Sequence, residues 1–153
     1  WITPTYIYRD PRDALLSAHE FGQKVLKKRG RPNAFTRLST IDIAIDFMAE
    51  YLKVWEAWTG LDNLFITRYE DLVTNYDVEA TRLMDYLHLD RQDSNLKAVL
   101  EKHRPGKAND NQPGLHYNIG RFGRFREVFT TEQQQRCTEL FKDYLPRMGY
   151  PSE

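Results

Sequence analysis

The 153-residue sequence contains one cysteine, Cys137. An internal disulfide is therefore excluded, and the lone thiol fits a reducing, cytoplasmic compartment. It also carries no net charge, with 22 Lys and Arg against 22 Asp and Glu. That balance excludes a long-range field drawing the chain to nucleic acid or to a membrane surface, so any anion site must be local. No apolar run approaches the roughly 20 residues of a membrane-spanning helix, and no signal-peptide pattern is present. The four histidines, His19, His88, His103 and His116, do not fall at metal-ligand spacing, so no metal is expected. Methionine is missing before Met48 and the chain opens on Trp1-Ile2. A bulky Trp is a poor residue to be exposed by initiator removal, and further residues upstream are expected.

What is present suffices for one domain, residues 1–153, with 41% hydrophobic and 13% aromatic residues to build a core. In residues 6–21, "YIYRDPRDALLSAHEF", the period changes from that of a strand to that of a helix carrying Ala14, Leu15, Ala18 and Phe21. Asp10 suits the N-cap, Pro11 the first helical position, and Asp13 the positive end of the helix dipole. A second helix follows Ser39 or Thr40, with Ile41, Ala44, Ile45, Met48, Tyr51, Leu52, Trp55 and Trp58 on an apolar face expected to be core. Residues 63–69 read as a second strand. Short helices follow around residues 77–87 and 94–103, then a long connection over 104–129 rich in Gly and Pro. Thr130 or Thr131 caps a last helix, and Thr131 with Gln134 makes a capping-box pattern. The fold class is α/β with a parallel sheet, of which only two strands, about 2–8 and 63–68, are evident. A parallel pair normally sits inside a wider sheet, so strands are expected on the amino-terminal side.

Arg9 stands at the carboxyl end of the first strand, where open α/β sheets place ligands. A guanidinium can grip a phosphate through two parallel hydrogen bonds, and the Ser17 hydroxyl can donate from the following helix. A salt bridge from Arg9 to Asp10, Asp13 or another carboxylate is the alternative. The arginines at 121, 124 and 126 likewise read either as phosphate ligands or as a solvated basic loop.

Three segments carry a resemblance. "YIYRDPRDALLS" resembles the 3′-phosphate-binding segment of the sulfotransferases that use 3′-phosphoadenylyl sulfate. "ITRYEDLVTNYDVEATRLMDYL" is similar to that family's second strand and its Tyr-Glu-Asp-Leu signature. "NIGRFGRFREVFTTEQ" resembles its late nucleotide-binding loop. The resemblance implies a helix-rich part of a P-loop-like three-layer fold, here the carboxyl-terminal portion. It implies Arg9 and Ser17 as 3′-phosphate ligands, Tyr69 near the adenine, and Asn118, Gly120 and Arg121 in the late loop, with Gly120 letting backbone approach the phosphate and Gly123 shaping the turn.

Two departures qualify it. Asn118-Ile119 stands where the family commonly has Arg-Lys, so phosphate contact weakens or passes to Arg121, Arg124 or Arg126. The 5′-phosphosulfate loop, Pro-Lys-Ser-Gly-Thr-Thr-Trp in form, is not in the sequence. It and the family's base are expected upstream of Trp1, so no catalytic residue is assigned and this chain alone is expected to be inactive. The implied function is sulfuryl transfer from 3′-phosphoadenylyl sulfate to a hydroxyl or amine of a small-molecule acceptor, leaving adenosine 3′,5′-bisphosphate. The acceptor and the oligomeric state are not legible. A non-catalytic nucleotide-binding or interaction module of the same fold is the alternative. A weaker one is an RNA-binding protein, from the Gly-x-x-Gly form of Gly120-Arg121-Phe122-Gly123.

Overall fold

The period change after the first strand becomes a β-to-α junction in the computed structural model, which describes residues 3–106 and 121–152. In chain order the elements are β1 (Thr5–Tyr8), α1 (Pro11–Lys27), a 3-10 turn (Ala34–Arg37), α2 (Ile41–Thr59), β2 (Phe65–Arg68), α3 (Tyr69–Thr74), α4 (Tyr76–Tyr86), α5 (Ser94–Lys102), α6 (Phe125–Val128) and α7 (Thr131–Phe141). They form two compact units, one of residues 1–8 and 58–120, the other of residues 9–57 and 121–153.

The first unit holds the sheet. β1 and β2 pair in parallel, with Thr5 opposite Phe65 and Tyr8 opposite Arg68, as a strand, a helical crossover and a second strand require. Phe65 is buried and meets the Tyr86 ring of α4 at 5.6 Å. The Tyr86 hydroxyl lies 2.7 Å from the carbonyl oxygen of Pro4 and 2.6 Å from that of Asn63, tying the entries of both strands to one side chain. Inside the unit, Thr67 Oγ1 donates to buried Glu79 at 2.5 Å, and Glu79 also accepts from Arg82 at 2.8 and 2.6 Å. A buried carboxylate is tolerable on those terms, because each oxygen has a donor. Tyr6 stacks on Trp58 at 5.4 Å.

The second unit is a helical core. Leu15 and Leu16 of α1, Ala44, Ile45, Met48, Leu52 and Trp55 of α2, and Cys137 and Phe141 of α7 are buried, together with Leu145 and Met148 beyond α7. Helix α1 starts as its sequence requires. Asp10 caps it by accepting from the Arg12 N–H at 2.9 Å, and Pro11 takes the first position. The Arg12 guanidinium returns to the Asp10 carboxylate at 3.0 and 2.8 Å and lies 4.4 Å over the Phe125 ring, so this buried ion pair is hydrogen-bonded and covered by an aromatic face.

Four expectations need correction. Tyr69 opens α3 rather than ending a strand. The 104–129 connection contains α6, which is built on buried Phe125. The capping box of α7 is Thr130 with Gln133, one residue earlier than Thr131 with Gln134. Tyr51 is exposed rather than core, because the buried stripe of α2 runs through Ala44, Ile45, Met48, Leu52 and Trp55, and Tyr51 packs with Phe47 at 5.7 Å outside it.

Candidate functional site

The second unit brings Arg9, one face of α1 and the segment after residue 120 together. Positions 13, 17 and 20 lie at i, i+4 and i+7, so Asp13, Ser17 and Glu20 form one stripe along the helix. Both carboxylates of the stripe engage the late segment. Asp13 Oδ1 accepts the Phe125 N–H at 3.1 Å, and Oδ2 accepts the Gly123 N–H in a short hydrogen bond. Glu20 receives the Arg124 guanidinium through two hydrogen bonds of 2.9 and 2.5 Å. Gly123 has φ +78°, a backbone conformation that favours glycine and that turns its N–H onto Asp13.

Arg9 stands directly after β1. Its guanidinium donates to the Arg121 carbonyl oxygen at 2.9 Å and lies 3.7 Å from Asp13 Oδ2, while 21% of the side chain remains exposed. The Asp13 side chain is 1% exposed. The ion pair weighed as the alternative for Arg9 therefore exists, but at a separation longer than a hydrogen bond, on a carboxylate whose two oxygens already take backbone N–H groups. Ser17 sits between the two carboxylates of the stripe, partly exposed, and its hydroxyl makes no hydrogen bond to a described residue. A phosphate oxygen between Arg9 and Ser17 would meet a cation and a neutral donor, a set that fits an anion.

The three loop arginines separate. Arg124 is committed to Glu20, with 15% of its side chain exposed; this strong pairing holds the guanidinium in its charged form. Arg126 lies over the Phe125 ring at 4.6 Å. Arg121 is largely exposed, and among the described residues its guanidinium meets only Glu127, at 3.2 Å. Exposed pairs of this kind are weak, about 0–1 kcal/mol, so Arg121 can change partners most cheaply of the three.

Tyr69, the first residue of α3, belongs to the first unit and is partly buried there. Asn118 and Gly120 lie outside the described residues. No cluster of His, Cys, Asp and Glu suited to a metal occurs among the described residues, and no helix there is long and apolar enough to cross a membrane. The residue that the sequence reading undervalued is Asp13. Its position in the first helical turn gave it a sufficient local role, and only the tertiary approach of residues 123–125 reveals the second one.

The sequence model of the sulfotransferase domain matches residues 5–149. The fold is similar to that of mouse sulfotransferase SULT7A1, whose crystal structure is complexed with PAP, with a TM-score of 0.67 and 17% sequence identity over 91% of this chain and 56% of that one. The chain thus spans little more than half the length of that relative. No curated protein matches its sequence significantly.

Proposed function

This chain belongs to the sulfotransferase family, and we propose that within it Arg9 and Ser17 hold the 3′-phosphate of 3′-phosphoadenylyl sulfate. The protein of which these residues are the nucleotide-binding side transfers the sulfuryl group of that donor to a hydroxyl or amine of a small-molecule acceptor. Arg121 takes over part of the phosphate contact where Asn118-Ile119 departs from the family's Arg-Lys. The roles of Tyr69 near the adenine and of Gly120 in the loop rest on the resemblance, as does a cytoplasmic location. The match over residues 5–149 does not favour the RNA-binding alternative.

One observation carries the reading. Arg9, at the carboxyl end of a parallel strand, keeps about a fifth of its side chain exposed while its guanidinium donates to the Arg121 carbonyl oxygen of the late segment. A cation fixed in this way loses little freedom on meeting a phosphate, so more of each hydrogen bond appears as affinity. The bound nucleotide supplies the activated sulfuryl group. These residues bind and orient its distal phosphate, and the differential stabilisation of the reacting centre is left to other groups.

Titration calorimetry of the 153-residue chain with adenosine 3′,5′-bisphosphate and with adenosine 5′-monophosphate tests this. Arg9→Ala removes charge-assisted hydrogen bonds worth about 1.5–3 kcal/mol each, so binding of the bisphosphate should weaken at least about tenfold. Ser17→Ala should cost on the order of 1 kcal/mol. Neither substitution should matter much for the monophosphate. Equal losses with both ligands would mean that Arg9 only supports the fold through Asp13.

A further inference from the structure

Asp13 is the third residue of α1, so the first helical turn fixes its backbone, and its short side chain leaves little choice of direction. From that position one buried carboxylate takes the N–H of Gly123 on one oxygen and the N–H of Phe125 on the other. The oxygen that serves Gly123 is also the one nearest Arg9, at 3.7 Å. Arg9 in turn holds the Arg121 carbonyl oxygen. The guanidinium and the 121–125 segment are thus located by the same carboxylate, and neither can shift without disturbing the other. We propose that Asp13 is a positioning residue for 3′-phosphate binding, setting the guanidinium of Arg9 and the 121–125 segment in one register. This rests on the nucleotide reading given above.

The sign of the effect separates positioning from simple electrostatics. A carboxylate so close to Arg9 repels an arriving phosphate, so on charge alone Asp13→Asn should tighten binding. Positioning gives the opposite sign. An amide offers one acceptor where two N–H groups converge, and its own NH2 would face a donor, so the segment must move and Arg9 loses its reference. Asp13 in the native protein avoids the penalty of a bare negative charge because both oxygens are occupied by N–H groups. Its field is thereby turned toward the loop backbone.

The test compares the affinity of the 153-residue chain for adenosine 3′,5′-bisphosphate with that for adenosine 5′-monophosphate. The ratio of the two is the gain due to the 3′-phosphate. In Asp13→Asn that ratio should fall about tenfold, the equivalent of one charge-assisted hydrogen bond, with monophosphate affinity within about twofold of native. In an Arg9→Ala background the same substitution should change the ratio no further. An unchanged or larger ratio in Asp13→Asn, with the ratio abolished by Arg9→Ala, overturns the role of Asp13 and leaves that of Arg9 standing. Equal loss for both ligands makes Asp13 purely structural and also overturns the proposal. A native chain without preference for the bisphosphate would end the nucleotide reading and this inference with it. If Asp13→Asn does not fold, Gly123→Ala puts the question from the loop side. It keeps the carboxylate but strains the φ +78° turn that presents the N–H. The same fall in ratio is expected, and an unchanged ratio counts against the proposal.

Discussion

Replacing Gly22 by alanine sets helix propensity against packing. Gly22 lies inside α1, where alanine is favoured by about 1 kcal/mol. Propensity alone therefore makes Gly22→Ala stabilising. A Cβ built at this position, however, would stand 2.0 Å from the carbonyl oxygen of Phe35, 2.5 Å from its carbonyl carbon and 3.1 Å from the Thr36 nitrogen. These are backbone atoms of the 3-10 turn, so no side-chain rotation relieves the overlap. The turn would have to retreat by roughly 1 Å or more to restore van der Waals separation.

That retreat is resisted on several sides. Asn33 caps the turn, accepting from the N–H groups of Phe35 and Thr36 at 3.0 and 3.2 Å. The following residue, buried Leu38, has its carbonyl oxygen bonded to α1 by His19 Nδ1 at 2.7 Å and Gln23 Nε2 at 3.2 Å. Because a carbonyl only accepts, His19 must carry its proton on Nδ1. Phe21 and Phe35 meet edge to face at 5.9 Å. Disturbing two hydrogen bonds at about 0.5–1.5 kcal/mol each and an aromatic pair of similar worth costs about 2–4 kcal/mol. After the gain in propensity, a net loss of about 1–3 kcal/mol remains. Urea denaturation followed by Trp fluorescence measures it. A variant as stable as the native chain, or more so, would refute the claim that the 34–38 segment is seated on Gly22.

Two further outcomes are expected. Glu79→Ala leaves the buried Thr67 hydroxyl only a long contact to the Arg68 carbonyl oxygen, at 3.4 Å, and releases Arg82, whose half-exposed side chain can return to water; the loss should be about 2–3 kcal/mol, and less than about 0.5 kcal/mol in a denaturant titration would contradict the arrangement. Burial pushes the Cys137 thiol up to about 12, with Arg12 opposing. The thiol is protonated in both states at low pH, and above about pH 9 the unfolded chain releases a proton that the fold retains. Relative to Cys137→Ala, stability should thus fall by roughly 1.4 kcal/mol per pH unit between about 9 and 12, and parallel pH profiles for the two proteins would exclude this linkage.

Much of the fold is legible because its signals are local. Asp10-Pro11 fixes the start of α1 through one cap and one ring, and a strand, a helical stretch and a second strand leave parallel pairing as the expected outcome. The errors arise where local chemistry is degenerate. The run Thr130-Thr131-Glu132-Gln133-Gln134 contains two capping boxes in adjacent registers, and the structure uses the first, immediately after buried Phe129. Helix α2 has apolar residues on more than one face, so periodicity could not tell that Met48 and Leu52 are core while Tyr51 is exposed. Asn33-Ala34-Phe35-Thr36 spells a cap for the 3-10 turn, a signal present in the sequence directly after Gly30-Arg31-Pro32, whose Gly and Pro equally suit an irregular connection.

The candidate site illustrates a different limit. In a chain without net charge, a phosphate site requires an arginine whose carboxylate neighbour is occupied elsewhere, and sequence shows the carboxylates without showing what they hold. Arg12, Arg68, Arg82, Arg124 and Arg136 each reach a carboxylate within hydrogen-bonding distance. The contact of Arg9 with Asp13 is longer, at 3.7 Å, because backbone N–H groups 110 and 112 positions away draw that carboxylate toward the late segment. The salt bridge that competes with the phosphate reading is therefore present and weakened by the same interaction that holds the loop. On this view the ion pair and the anion site are not rivals. In the proposed site the contact to Asp13 sets the direction of the guanidinium, and at 3.7 Å an arriving phosphate has no short ion pair to Asp13 to displace.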